Sequence, residues 1–107
     1  MDWVRVIKKC FDANTLLYTS HARREMKVEG FGEILEKEVY EVISVCEVIK
    51  EYPDDTPYPS ALLFGMTQEG RPIHIVCAYN SDDEEIIIIT VYHPDPALWD
   101  NYRRRKK

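Results

Sequence analysis

Four positions carry side chains suited to phosphate chemistry: His21 and Arg24 in S-H-A-R-R, His74 in P-I-H-I-V, and Thr90 in I-T-V-Y. A spacing of three puts His21 and Arg24 one turn apart on the same side of a helix. Arginine offers phosphate a planar fork of donors, and histidine exchanges a proton near neutral pH. A helix N-terminus beside them adds partial positive charge for an anion. The same H-x-x-R spacing also arises on a solvated helix face, with Arg24 paired to Glu25 or Glu29. His74 equally reads as a hydrogen-bonded histidine inside a sheet. Arg23 and Lys27 extend the cationic helix as substrate-binding candidates. Thr90 and Tyr92 lie near the end of one strand, where their hydroxyls are candidates for positioning a phosphate. Simple alternation puts both on the face of Ile86 and Ile88. Arg71, in a hairpin turn, reads as a solvated charge.

Positioning these groups takes helices first and strands second. Trp3, Val4, Ile7, Cys10 and Phe11 form one stripe, which predicts an amphipathic helix over 2–12. Asp12 to Thr15 supplies turn residues and Leu16 to Thr19 a short extended segment. Thr19 or Ser20 then caps a short basic helix over 21–28 that stops near Gly30 and Gly32. Leu35, Val39, Val42, Ile43 and Cys46 repeat at helical spacing, so a third helix over 35–46 is predicted to pack on a sheet. Strands are predicted at 47–52, 61–67, 73–80 and 85–92, with Val48, Lys50 and Tyr52 on one face of the first. Three prolines make 53–59 an irregular loop, and Q-E-G-R and S-D-D-E are hairpin-length links. The run from Ile86 to Val91 reads as a central strand covered on both faces. The expected fold is α+β: N-terminal helices packed on a four-stranded, mainly antiparallel β-meander. It forms a single domain over 1–102, followed by a basic tail at 103–107. Trp99 and Tyr102 are expected to fold back onto the body, because both rings would otherwise lie in water.

A chain of 107 residues, 45% apolar and 31% charged, has the balance of a globular domain with one core. Cys10, Cys46 and Cys77 lie far apart among apolar neighbours and read as core residues rather than disulfide partners or zinc ligands. Charges scattered through the first eleven residues break up the apolar core of a secretory signal, so none is expected there. No apolar run approaches the roughly twenty residues that a membrane span takes, so no membrane association and a cytoplasmic location are expected. Net charge is -5, yet the last five residues are all basic, so the preceding 102 carry -10. An acidic body disfavours nonspecific nucleic-acid binding. The basic tail either meets a phosphate backbone or is a solubilising terminus. Phosphate-loop, dinucleotide-binding, zinc-protease and nucleophile-elbow motifs are absent. Asp54, Asp55 and the run Asp82 to Glu85 read as turn carboxylates in water, so no metal and no cofactor is expected.

Five segments fall in an order and spacing that resemble a known family: Y-T-S-H-A-R-R-E-M at 18–26, E-V-Y-E-V-I at 38–43, E-V-I-K-E-Y-P at 47–53, P-I-H-I-V at 72–76 and I-I-T-V-Y-H-P at 88–94. The chain is similar to domain-of-unknown-function family 4258, a group of small prokaryotic proteins. That family in turn resembles the barnase, EndoU, colicin and RelE-like ribonuclease-toxin group. The resemblance implies helices against an antiparallel sheet, RNA as ligand and a cognate antitoxin protein as partner. It carries His21, Arg24, His74 and Thr90 over as site residues. The V-E-G-F-G-E segment at 28–33 is longer than the family's link between the second and third helices.

Two functions follow as expectations. The first is a metal-independent endoribonuclease of toxin-antitoxin type. His21 leads proton transfer, His74 is its counterpart, Arg24 clamps developing phosphorane charge, and Thr90 or Tyr92 positions the phosphate. The second is a noncatalytic protein- or RNA-binding module of the same fold, which the acidic body favours. Convergence of the four side chains on one cleft separates the two.

Overall fold

The computed structural model describes all 107 residues. Helix α1 (Trp3–Asp12) begins where the Asp2 carboxylate accepts from the Arg5 amide, and it buries Trp3, Ile7 and Cys10. Strand β1 (Leu16–Tyr18) leads into α2 (Ser20–Lys27). Thr19 caps α2, its hydroxyl accepting from the Ala22 amide. Helix α3 (Glu36–Ile43) starts where Glu38 reaches back to the Leu35 amide. It ends before the predicted Cys46 because the Ser44 hydroxyl bonds the Tyr40 and Glu41 carbonyls. Then come β2 (Glu47–Tyr52), β3 (Ser60–Met66), β4 (Pro72–Asn80) and β5 (Glu85–Tyr92). A hairpin of β6 (Trp99–Asp100) and β7 (Arg104–Arg105) closes the chain.

The α+β class holds, but the sheet is not a four-stranded antiparallel meander. It has five strands in the order β1-β5-β4-β3-β2, and β1 runs parallel to β5. Three residues are too few for alternation to declare a strand, and the partner lies in the last third of the chain. The remaining pairings are antiparallel.

One face of the sheet carries the three helices. Ala61, Leu63, Ile73, Ile75, Cys77, Ile86, Ile88 and Val91 join Trp3, Ile7, Ala22, Met26, Val39, Val42 and Ile43 in a single core. The three cysteines are free and buried. Burial pushes the Cys77 thiol up to about 12, so it stays protonated. No helix is long and apolar enough to cross a membrane.

Two bulges govern what reaches the opposite, open face. In β2, Ile49 is an extra residue between the pairs Val48 with Leu63 and Lys50 with Leu62. In β5, Ile89 is extra between Ile88 with Cys77 and Thr90 with Val76. Each insertion reverses the alternation beyond it. Val48 therefore faces the helices while Lys50 and Tyr52 face away. Thr90 and Tyr92 likewise leave the face of Ile86 and Ile88 and stand beside Val76 and His74.

Arg71 is a structural anchor rather than a solvated charge. Its guanidinium donates to the Gly32 carbonyl, to the Glu33 carbonyl at 2.9 Å, to Glu38 at 3.3 Å and to His93 Nδ1 at 3.2 Å. It thereby ties the link between α2 and α3 to the β3–β4 turn.

Helix α3 meets the sheet most closely at Gly65. A Cβ built there would lie 2.9 Å from Val42 Cγ1 and 3.2 Å from its carbonyl oxygen. Gly65→Ala should lower stability by about 1–3 kcal/mol through overpacking. A shift of the urea midpoint with an unchanged slope is the expected readout.

Candidate functional site

His74 is fully buried in the middle of the open face, and both of its ring nitrogens are engaged. Nε2 lies 2.6 Å from the Tyr102 carbonyl and Nδ1 3.0 Å from the Tyr92 hydroxyl. A carbonyl only accepts, so Nε2 carries the proton, and Nδ1 accepts from Tyr92. Phe64, Tyr92 and Trp99 surround the ring edge to face, with Trp99 nearest at 4.5 Å. Burial depresses the imidazole's proton affinity below the ordinary histidine value, partly opposed by the Tyr102 carbonyl. His74 is thus a neutral, oriented ring beneath the C-terminal hairpin. Trp99 and Tyr102 do fold back, and they fold onto this histidine.

Next to the ring the open face forms a groove of about 550 Å³. Its walls are Ile49, Lys50, Tyr52, Leu62, Val76 and Tyr92 from the sheet, with Trp99, Arg103, Arg104 and Arg105 from the hairpin. Four cations and three aromatic rings line it, without a carboxylate among them. Lys50 lies over the Tyr52 ring at 5.3 Å and Arg105 over Trp99 at 5.7 Å. The Tyr92 hydroxyl links this groove to His74. Burial first, and the nearby Glu25 charge second, push that hydroxyl up to about 12. Tyr92 therefore remains a protonated donor.

The other sequence candidates gather elsewhere. Ala22 and Met26 point α2 into the core, which turns its cations outward. Arg23, Arg24 and Lys27 line a separate cleft of about 510 Å³ with Met26, Glu33, Ile34, Leu35 and Glu36. Arg23 is paired to Glu36 at 3.0 Å and stacked on Tyr18. His21 is exposed, and its neighbour is Glu25 at 3.9 Å. Glu25 in turn accepts from the Val91 amide at 2.9 Å. Neither His21 nor Arg24 touches His74, whereas Thr90 and Tyr92 share its face. A larger depression of about 770 Å³ runs along exposed α1, among Asp2, Arg5, Lys8, Lys9 and Asp12. Its alternating charges favour no ligand sign, and it holds none of the candidates.

A family model described as domain of unknown function (DUF4258) matches residues 18–93. The chain belongs to this family. No curated protein and no solved structure matches it. The DUF4258 match covers α2, α3, β1 from Tyr18, and β2 through β5, hence His74, Tyr92 and the sheet wall of the groove. The hairpin wall, with Trp99 and Arg103 to Arg105, lies beyond it.

Sequence reasoning missed Lys50, Tyr52 and Trp99 as site residues. The signals were a lysine and a tyrosine two apart in a strand, and aromatic residues beside an arginine run. What hid them was the bulge at Ile49 and the docking of the returning chain end on His74 rather than elsewhere on the body.

His74 sets a pH dependence. With its affinity depressed in the fold, the unfolded chain binds the proton first as pH falls below about 6.5. Stability should be complete above that value and fall as pH drops through it. His93, also depressed by burial and by the Arg71 charge, acts in the same direction. Urea midpoints at pH 7.5 and 5.0 should show the loss, and His74→Gln should reduce its size.

Proposed function

We propose that this chain binds single-stranded RNA in the groove between the open sheet face and the C-terminal hairpin. The observation that carries the reading is the lining itself: Lys50, Arg103, Arg104 and Arg105 interleaved with Tyr52, Tyr92 and Trp99. Cations following a backbone and rings on which unpaired bases stack are the two components of sequence-tolerant single-strand recognition. A duplex keeps its bases stacked internally and offers these rings nothing to stack on. A cytoplasmic location goes with such a ligand. A cognate protein partner would compete by presenting carboxylates to the same four cations.

Cleavage is the second reading, favoured by the bond from Tyr92 to His74. In that scheme the Tyr92 oxygen takes the proton of a ribose 2′-hydroxyl while its own proton passes to His74 Nδ1. The 2′-oxygen then attacks phosphorus and expels the 5′-oxygen, which takes a proton from water; the resulting hydroxide takes the Tyr92 proton, His74 Nδ1 returns its own to Tyr92, and a 2′,3′-cyclic phosphate is left. No metal enters. The proton-transfer role passes from His21 to Tyr92, because Tyr92 stands at the groove with a base behind it.

Binding should be measured by anisotropy of a labelled oligouridine over a series of salt concentrations. Four phosphate contacts give a slope of log K against log salt of about -3. Changing Arg104 and Arg105 together to alanine should reduce that slope by about 1.4, and Trp99→Ala should cost about 1–3 kcal/mol. Equal affinity for duplex RNA, or no salt dependence, would defeat the reading. Under the cleavage scheme, Tyr92→Phe should slow formation of the cyclic phosphate by about 10²-fold or more while RNA is still bound. Intact RNA after prolonged incubation with the parent protein leaves binding alone.

A further inference from the structure

The C-terminal hairpin has little to hold it except the body on which it lies. Its own ladder is two residue pairs, Trp99 with Arg105 and Asp100 with Arg104. An isolated hairpin is marginal in water even when longer. Its turn places Asn101 and Tyr102 in the left-handed region, with φ of 57° and 62°. Asparagine tolerates that conformation through local hydrogen bonding, while tyrosine has no such means. Something outside the hairpin must hold Tyr102 in place.

Two polar posts fix it to the sheet, and the Tyr102 ring also lies 5.9 Å from that of Phe64. At the first, His74 Nε2 donates to the Tyr102 carbonyl at 2.6 Å, with the Trp99 ring standing edge-on to the imidazole. At the second, Arg103 meets Glu47 at 2.7 Å and lies over Phe64 at 4.9 Å. The second post is an ion pair with both side chains about half exposed, 48% and 47%, where such a pair contributes little. The first is a partly buried bond from a fully buried imidazole to a carbonyl within the strained turn, and losing it would leave the buried Nε2–H unsatisfied.

We propose that His74 is a positioning residue whose Nε2–H docks the C-terminal hairpin, and that this docking creates the groove. Without the hairpin, Trp99 and the three arginines leave, and the open face is a flat sheet with Lys50 and Tyr52 at one margin. The inference rests on the RNA reading for the ligand, but the docking itself is independent of it. Two substitutions separate a post from a proton acceptor. His74→Phe keeps a ring against Trp99 and removes the donor. His74→Gln presents an amide nitrogen near the position of Nε2 and removes the imidazole.

The test follows hydrogen exchange by NMR in the full chain, using two amides that bond within the hairpin: Arg103 to the Asp100 carbonyl and Lys106 to the Leu98 carbonyl. Oligouridine affinity is measured on the same samples. His74→Phe should accelerate exchange at both amides about tenfold, leave amides of the β3–β4 ladder unchanged, and weaken RNA binding by about the same factor. His74→Gln should restore both properties. Unchanged hairpin exchange in His74→Phe, or failure of His74→Gln to rescue, overturns the assignment. Should His74→Phe not fold, the parent protein decides: an exchange-protected imidazole Nε2 proton coupled to the Tyr102 carbonyl supports the post, and its absence overturns it. A parent protein that binds no oligouridine defeats the RNA reading alone, since the exchange data still decide the docking role.

Discussion

Strands β2 and β5 each carry one residue more than the strands they pair with, and those two insertions determine which side chains share a face. Without Ile89 opposite Val76 and Cys77, Tyr92 would point into the helices and His74 would have no hydroxyl at Nδ1. Without Ile49, Lys50 would fall on the helix side, where an unpaired ammonium is costly to bury. The β5 insertion is itself held from outside. The Thr19 hydroxyl donates to the Ile89 carbonyl and also caps α2, so one side chain fixes both the bulge and the start of the helix. Bulges beside functional sites serve to re-aim side chains, and here one turns Tyr92 onto His74 while the other turns Lys50 and Tyr52 into the groove beside it.

The acidic body and the cationic groove are compatible because charge acts over short range in salt. At physiological ionic strength the screening length is about 8 Å, so a ligand in the groove responds mainly to the nearest charges, the four lining cations together with Glu47 beside Arg103 and Asp100 beside Arg104. Several body carboxylates are also locally engaged, Glu38 with Arg71, Glu36 with Arg23 and Glu84 with Lys9. Net charge read over the whole sequence therefore says little about this surface.

Periodicity located α1 and α3, helix-forming composition and a cap located α2, and the four long strands were legible from their apolar and β-branched runs between turn residues. Alternation failed at two places for one reason: a bulge changes phase without changing composition, and Ile49 and Ile89 look like any other strand isoleucine. The parallel strand β1 was visible as an extended segment, but its partner could not be read from so few residues. At the site, His74 and Tyr92 stood out by residue type, and the structure adds that they touch. Arg71 was misread because its partners, the Gly32 and Glu33 carbonyls, are backbone groups that no sequence pattern advertises. The return of Trp99 and Tyr102 to the body was legible from their aromatic surface, but not that they land on His74 and carry the arginine run to the open face.

The pairing of β1 with β5 also bears on how the chain acquires its shape. Thr19 and Ile89, joined at this edge, are 70 positions apart. Closing a loop of that length costs about 4 kcal/mol of chain entropy before any pairing is gained. The pairing of β1 with β5 therefore carries the largest loop-closure cost in the sheet. Contacts this distant slow folding relative to local ones. The strands from β2 to β5, each adjacent in sequence to its partner, close short loops, whereas the edge strand near the start of the chain closes the long one.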